Sequence, residues 1–282
     1  MDLEKKIKDY LVASLENASP IDESIIEEFG ERCKEALRKQ FNSEKQEFKI
    51  RMSSVGKPLC QQQLERDGAK AEKLPASVKL KFIFGDMVEA LVMAVMEASG
   101  INIESYQEEV SYDLGKVNIK GTLDVIIDGK VYDIKSTSKH AFTYKFSNPN
   151  GFANLVKDDP FGYVSQGYLY GAAKGIPFGG WIAFNKETGD IAVLKAPQNG
   201  SAYERKALHT AKVNAKALAD DAPFERCFKK EAELVRRKLT GNYTLGVNCR
   251  YCKFKQSCWG EELIFRKNPR GATSRWYFGE PK

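Results

Sequence analysis

Two aspartates and a lysine fall close together in Gly121-Thr-Leu-Asp-Val-Ile-Ile-Asp-Gly-Lys-Val-Tyr-Asp-Ile-Lys135. Asp128-Gly129 is a strong signal for a two-residue hairpin turn between β-rich runs. With those two residues as the loop, Ile127 pairs with Lys130, Asp124 lies opposite Asp133, and Thr122 lies opposite Lys135. The alternation agrees. Val117, Ile119, Leu123, Val125 and Ile127 fall on one face of the first strand. Asn118, Lys120, Thr122 and Asp124 fall on the other, with Ile126 the exception. Opposed residues have Cβ atoms roughly 5 Å apart, and like charges there repel. The aspartates therefore call for a cation. An oxygen-only site suits Mg²⁺ or Mn²⁺, which keep waters and bind through one or two carboxylates plus substrate phosphate. Lys135, one pleat further on, is placed to steer or help deprotonate an attacking water, or to neutralise charge building on a phosphate. The same residues also read as a surface hairpin with solvated acids.

A second carboxylate stands out because its neighbours are apolar. Phe82-Ile-Phe-Gly85-Asp86-Met-Val-Glu89-Ala-Leu-Val-Met-Ala-Val-Met96 is hydrophobic nearly all round, which predicts a buried helix. An unpartnered carboxylate there costs several kcal/mol, so Glu89 needs a cation or a donor, a lysine salt bridge being the plain alternative. Asp86, expected nearer the helix start, would complement the dipole.

Six cysteines form the third set: Cys33, Cys60, Cys227, Cys249, Cys252 and Cys258. The last three are spaced Cys249-x₂-Cys252-x₅-Cys258, a tight cluster that in a reducing compartment points to metal. The only histidines, His140 and His209, read as surface residues, which leaves a distant cysteine as the fourth ligand. Four thiolates hold either a [4Fe–4S] cluster or tetrahedral zinc. One triplet with a remote partner, rather than two short pairs, favours iron–sulfur. Cys33 and Cys227 read as inert buried thiols.

The elements that must position these residues follow from periodicity. Helices are predicted over 3–15, 23–41, 79–98, 161–173, 203–218 and 223–239, with a further helix after Pro58. Strands are predicted over 103–112, 117–127, 131–136, 180–184 and 191–194. That order implies an α/β core with a mixed, partly antiparallel sheet. At 282 residues, 42% hydrophobic and 29% charged, the chain has the make-up of a soluble globular protein. No uncharged apolar run approaches the roughly 20 residues of a membrane span. The start does not resemble a secretory leader, so the expected location is cytoplasmic. The net charge of +6 is uneven. Residues 250–282 carry eight Lys/Arg against three Glu, interleaved with Tyr251, Phe254, Trp259, Phe265, Trp276, Tyr277 and Phe278. Such a segment suits nucleic acid, or packs its rings on the core and solvates its charges.

Taken in order, Gly85-x₃-Glu89, Gly121-x₂-Asp124, Asp133-x-Lys135 and Gln166-x₃-Tyr170 resemble the RecB-like branch of the PD-(D/E)xK nuclease superfamily. The cysteine triplet with an upstream cysteine resembles its iron–sulfur subgroup, which includes the AddB nuclease domain and the nucleases of CRISPR adaptation. The resemblance covers roughly Ser53 to Trp259. It implies a restriction-endonuclease-like α/β core, a mixed central sheet flanked by helices. N-terminal helices (1–50) would precede a nuclease domain (51–260) closed by the cluster, and a basic aromatic tail (261–282) would follow. It implies that Glu89, Asp124 and Asp133 hold the catalytic metal, with Glu89 where many relatives place a histidine, and that Lys135 assists the attack. Gln166 and Tyr170 would support the site or contact the strand. Cys60, about thirty residues before Glu89, would join Cys249, Cys252 and Cys258 around the cluster. The implied activity is Mg²⁺- or Mn²⁺-dependent exonucleolytic cleavage of DNA at a free end, in recombination, repair or processing. Protein partners or a homo-oligomer stay open. Two rivals remain: an end-trimming nuclease in a larger assembly such as CRISPR adaptation, and a non-catalytic DNA-binding module stapled by zinc.

Overall fold

The structure is a computed structural model and describes residues 2–16, 20–42, 47–197, 200–260, 263–266 and 275–280. Helices α1 (Leu3–Glu16) and α2 (Glu23–Asn42) lead to two short helices, α3 (Met52–Val55) and α4 (Leu59–Arg66), and then to the long α5 (Ala76–Ala98). Three strands follow, β1 (Ile103–Asp113), β2 (Asn118–Ile127) and β3 (Lys130–Thr137). A short α6 (Lys139–Ala141), a π-helical turn (Phe142–Phe146), α7 (Gly151–Lys157) and α8 (Tyr163–Lys174) carry the chain to β4 (Phe178–Asn185) and β5 (Ile191–Lys195). After α9 (Ala202–Ala219) come β6 (Glu231–Val235), β7 (Lys238–Thr244), α10 (Val247–Arg250), α11 (Lys255–Trp259), β8 (Leu263–Arg266) and β9 (Arg275–Phe278).

The main sheet has the order β1-β2-β3-β4-β5. Only β3 and β4 run parallel; the other neighbours are antiparallel. A parallel pair needs a long crossover, and the helices between β3 and β4 supply it. The sheet is covered on both faces. On one face Met52 and Val55 of α3, Tyr168 of α8 and Ala211 of α9 share a core with Leu123 and Trp181 of the sheet. On the other, Ile7 of α1 and Val92 and Met96 of α5 share a core with Val125, Ile134 and Ile182. This is the mixed sheet flanked by helices that the element order predicts.

Local chemistry sets several of the boundaries. Asp128 (φ 49°) and Gly129 (φ 63°) make the expected tight turn. Gly175 (φ 68°) ends α8 in the left-handed conformation that glycine adopts without strain. Ser201 caps α9 by accepting the Glu204 N–H at 3.2 Å.

Three expectations are corrected. The helix predicted over 223–239 is instead a loop followed by the hairpin β6–β7. Its turn residues, Arg236 and Arg237, are left-handed (φ 48° and 66°), and arginine gives no sequence signal for that conformation. What holds the hairpin is tertiary. Buried Glu233 accepts from Thr240 and Asn242 at 2.9 Å, Tyr277 at 2.8 Å and Arg275 at 3.0 Å. Second, the apolar helix is not buried all round, since Leu80 is 67% exposed and Phe82 51%. Third, Asp86 lies mid-helix and pairs with Lys39 at 3.1 Å and Gln40 at 2.7 Å on α2, rather than with the helix dipole.

Strands β8 and β9, from the stretch read as a tail, join β6 and β7 in a second sheet of order β6-β7-β9-β8. Three of its rings, Trp259, Trp276 and Phe278, pack on a small core, Trp259 meeting Phe278 edge-on at 4.9 Å, while Phe265 meets Trp276 at 5.0 Å and stays 44% exposed. Tyr251 stays exposed. Lys267, Arg270 and Lys282 lie outside the described residues. Among the described residues no helix is long and apolar enough to cross a membrane.

Candidate active site

The β2–β3 hairpin has the expected register at Ile127–Lys130, Ile126–Val131 and Val125–Tyr132. The ladder then stops, one pair short of the aspartates. In a continued ladder the Ile134 N–H would bond a β2 carbonyl; it donates instead to the Asp124 carboxylate at 2.7 Å. On the other side of β2, Tyr106 pairs with Val125 and Glu108 with Leu123. Between them Gln107 is left-handed, φ 48°, a conformation that costs a non-glycine residue about 1–3 kcal/mol. Its side chain donates to Glu89. β2 is thus disturbed from both sides at Asp124, and its facing changes there. Ile119 and Leu123 pack under α8, whereas Val125 and Ile127 pack under α5. The single apolar face expected for 117–127 is therefore two faces that meet at Asp124.

Asp133 is 1% exposed. Lys135 Nζ lies 2.7 Å from its Oδ1 and 2.6 Å from its Oδ2, but only the first contact is a well-aligned hydrogen bond. Asp133 Oδ2 is buried with no hydrogen-bond partner. Lys135 Nζ also stands over the Tyr163 ring, 4.9 Å from its centre. Burial pushes the Asp133 carboxyl up to about 7, with Lys135 opposing the rise and Asp124 reinforcing it. Burial raises Asp124 as well, against Lys135 and the Ile134 N–H. Burial, then the Asp124 charge, pushes Glu89 up to about 8. Burial works to lower the Lys135 ammonium, but Asp133 and Asp124 outweigh it and hold it above its ordinary value. Lys135 acts on all three carboxyls and Lys39 on Glu89 and Asp124, yet burial outweighs both and raises every one of the three. Glu89 has a side-chain amide as its donor, not the lysine salt bridge of the plain alternative.

Gln166 and Tyr170 lie on α8 and are both buried, with Gln166 Nε2 donating to the Tyr170 hydroxyl at 3.0 Å. Burial raises the Tyr170 hydroxyl, the Gln166 hydrogen bond opposes the rise, and the charges of Asp133 and Asp124 add to it. Gly121 leaves room for the ring. A Cβ there would lie 2.8 Å from the Tyr170 ring and 2.9 Å from Met52. Gly85 has nothing within 4 Å of such an atom, so space does not require glycine at that position.

Cys60, Cys249, Cys252 and Cys258 line one small cavity with Pro58, Leu64, Phe228 and Trp259. Cys60 comes from α4, Cys249 from α10 and Cys258 from α11, with Cys252 in the turn between the last two. Burial pushes Cys249 up to about 12 and also raises Cys252 and Cys258. One expectation fails twice: Cys33 is only half-buried, and Cys227 is exposed, not an inert buried thiol. Its Sγ accepts the Cys60 N–H at 3.0 Å. Among the described residues no three His, Cys, Asp or Glu side chains converge into a ready-made metal site.

The sequence reasoning missed Gln107, Tyr163, Met52 and Cys227. Cys227 carried a weak signal, an unassigned cysteine in a chain with a thiol cluster. The other three matter only through contacts across the fold.

No family model matches the chain, and no curated protein does. Two solved structures show a distant likeness. SSO0001 has 15% identity and a TM-score of 0.45 over 82% of this chain and 95% of that one. A Eubacterium rectale protein described as a "putative exonuclease" has 14% identity and a TM-score of 0.43 over 68% of this chain and 86% of that one. Likenesses this distant assign no chemistry, which rests on the side chains.

Proposed function

We propose that the chain is a nuclease that hydrolyses phosphodiester bonds of DNA with Mg²⁺ or Mn²⁺, acting from a free end. The observation that carries this reading is the hairpin that sets Asp124 and Asp133 beside Lys135, with Glu89 close enough to feel the charges of Asp124 and Lys135. Asp133 Oδ2, in ion-pair contact with Lys135 but without a well-aligned hydrogen bond, fits the reading, because a divalent ion would satisfy it. Glu89, Asp124 and Asp133 would hold the ion, which when bound polarises the scissile phosphate and supplies the charge these acids lack.

The remaining work falls to the chain's own groups. Lys135, released from Asp133, would orient the attacking water and counter charge developing on the phosphate oxygens. Tyr163 would hold the ammonium in place through its ring face. Tyr170, oriented by Gln166, would position the substrate strand. The bond between Gln107 and Glu89 would fix the carboxylate furthest from the hairpin. At the other site, the fit of Cys60, Cys249, Cys252 and Cys258 to a [4Fe–4S] cluster rests on four thiols sharing one mostly apolar cavity. Its role would be structural, tying α4 to the second sheet.

The test is cleavage of end-labelled single- and double-stranded DNA by anaerobically purified protein, with Mg²⁺ or Mn²⁺ against EDTA and Lys135→Ala in parallel. Metal-dependent shortening that is lost in the variant supports the assignment. Equal cleavage by the variant sinks it.

A further inference from the structure

We propose that Cys60 and Cys227 are a thiol–disulfide exchange pair, and that their oxidation withdraws Cys60 from the four-cysteine cavity. Cys60 lies at the second position of α4, and its own N–H points at Cys227 Sγ, 3.0 Å away. That bond sets the Cys227 sulfur against the backbone of Cys60 at the start of α4. They are 167 residues apart in the chain, so only the fold joins them.

The surroundings differ in a way that suits exchange. Cys60 is buried at the cavity, whereas Cys227 is exposed. Cys227 lies in the irregular segment between α9 and β6, where the backbone makes no ladder or helix to resist a small shift. The neighbouring Arg226 is anchored, its guanidinium donating to the Cys258 carbonyl at 3.0 and 2.7 Å. That contact ties the segment carrying Cys227 to Cys258 on α11. Cys33, on α2, has no thiol neighbour of this kind and serves as an internal control.

The oxidant required is a low-molecular-weight disulfide such as oxidised glutathione. The Cys227 thiolate attacks one sulfur of that disulfide, which releases one glutathione thiolate and leaves a mixed disulfide on Cys227. The Cys60 thiolate then attacks the Cys227 sulfur and releases the second glutathione thiolate. Two protein protons leave with the two thiols, and the oxidised glutathione is reduced to two molecules of thiol. A sulfur engaged in a disulfide cannot bind metal, so bridge and four-thiolate site exclude one another. The exchange needs only these thiols and is independent of whether the chain cleaves DNA.

The test uses the full-length protein, prepared anaerobically without metal and treated with oxidised glutathione. Its readouts are intact mass, disulfide mapping by peptide mass spectrometry, and later iron uptake from ferrous iron and sulfide. The expected wild-type result is a loss of two hydrogens, a mapped Cys60–Cys227 bridge, and iron uptake that fails until dithiothreitol is added. Cys33→Ser should behave as wild type. Cys227→Ser should form no bridge to Cys60 and take up iron equally with or without the oxidant. A bridge confined to Cys249, Cys252 and Cys258, or Cys60 left free after oxidation, overturns the pairing. Loss of iron uptake in fully reduced Cys227→Ser also overturns it, because Cys227 would then be acting as a ligand.

Discussion

The carboxylate site and the thiol site are built in opposite ways. Asp124, Asp133 and Lys135 sit on one hairpin whose register is set by a two-residue turn, and only Glu89 and the α8 pair come from elsewhere. The thiol site joins Cys60 on α4 to a triplet near the other end of the chain. Removing one carboxylate leaves the hairpin and both hydrophobic layers in place. Under the proposed cluster, removing one thiol would loosen the second sheet, whose small core is Leu245, Cys249 and Leu263 with four partly buried rings. The first site is therefore expected to govern rate and the second stability.

The sharpest way to break that contrast is substitution in the hairpin. Asp133→Ala or Lys135→Ala is expected to lower metal-dependent DNA cleavage by roughly 10²–10³-fold or more; melting temperature should fall in Lys135→Ala, which leaves the buried acids without their lysine, and stay near wild type or rise in Asp133→Ala. Asp124→Ala should match Asp133→Ala. Normal cleavage in these purified variants would remove the site from the chemistry. Cys249→Ala should show the reverse emphasis. Iron content should collapse and the melting temperature fall, because ligand binding energy is folding energy. Iron and melting temperature both at wild-type values would show that the thiols hold nothing.

A medium effect comes from Gly121→Ala. The added methyl meets the Tyr170 ring and Met52 at under 3 Å, which should cost about 1–3 kcal/mol. Cleavage should fall through misplacement of Tyr170, while iron content is kept. An unchanged rate would mean that Tyr170 takes no part.

The smallest effect is in pH. Glu89 and Asp133 have folded-state values raised to about 8 and about 7, mainly by burial, above the usual carboxylate range. A carboxyl raised by folding binds its proton more tightly in the native state. Its stabilising contribution is present at low pH and is lost as pH climbs from the ordinary carboxylate value through the folded one. With divalent metal absent, thermal stability should therefore decline between about pH 4 and pH 8. Mg²⁺ or Mn²⁺ should restore more of it at pH 8 than at pH 5. Asp133→Asn should flatten part of the slope. A rise in metal-free stability across that range would contradict the carboxylate environment.

Much of this arrangement was legible in the sequence, because short-range signals carry it. Asp128-Gly129 specifies its turn and the register of the first three pairs. Period-3.6 and period-2 patterns placed the five strands of the main sheet and most of the helices. The spacing of Cys249, Cys252 and Cys258 marked a thiol cluster. Other features were decided only when distant segments met. The face switch at Asp124 depends on Gln107 adopting positive φ and on the Ile134 N–H choosing a carboxylate over a carbonyl. The β6–β7 hairpin overrides a helical pattern because Glu233 finds four donors, two of them on β9. Cys227 gains its meaning only beside Cys60. Local propensities are encoded within a few residues of one another and can be read there. The partners of a buried charge or thiol are chosen by packing, which the linear pattern does not contain.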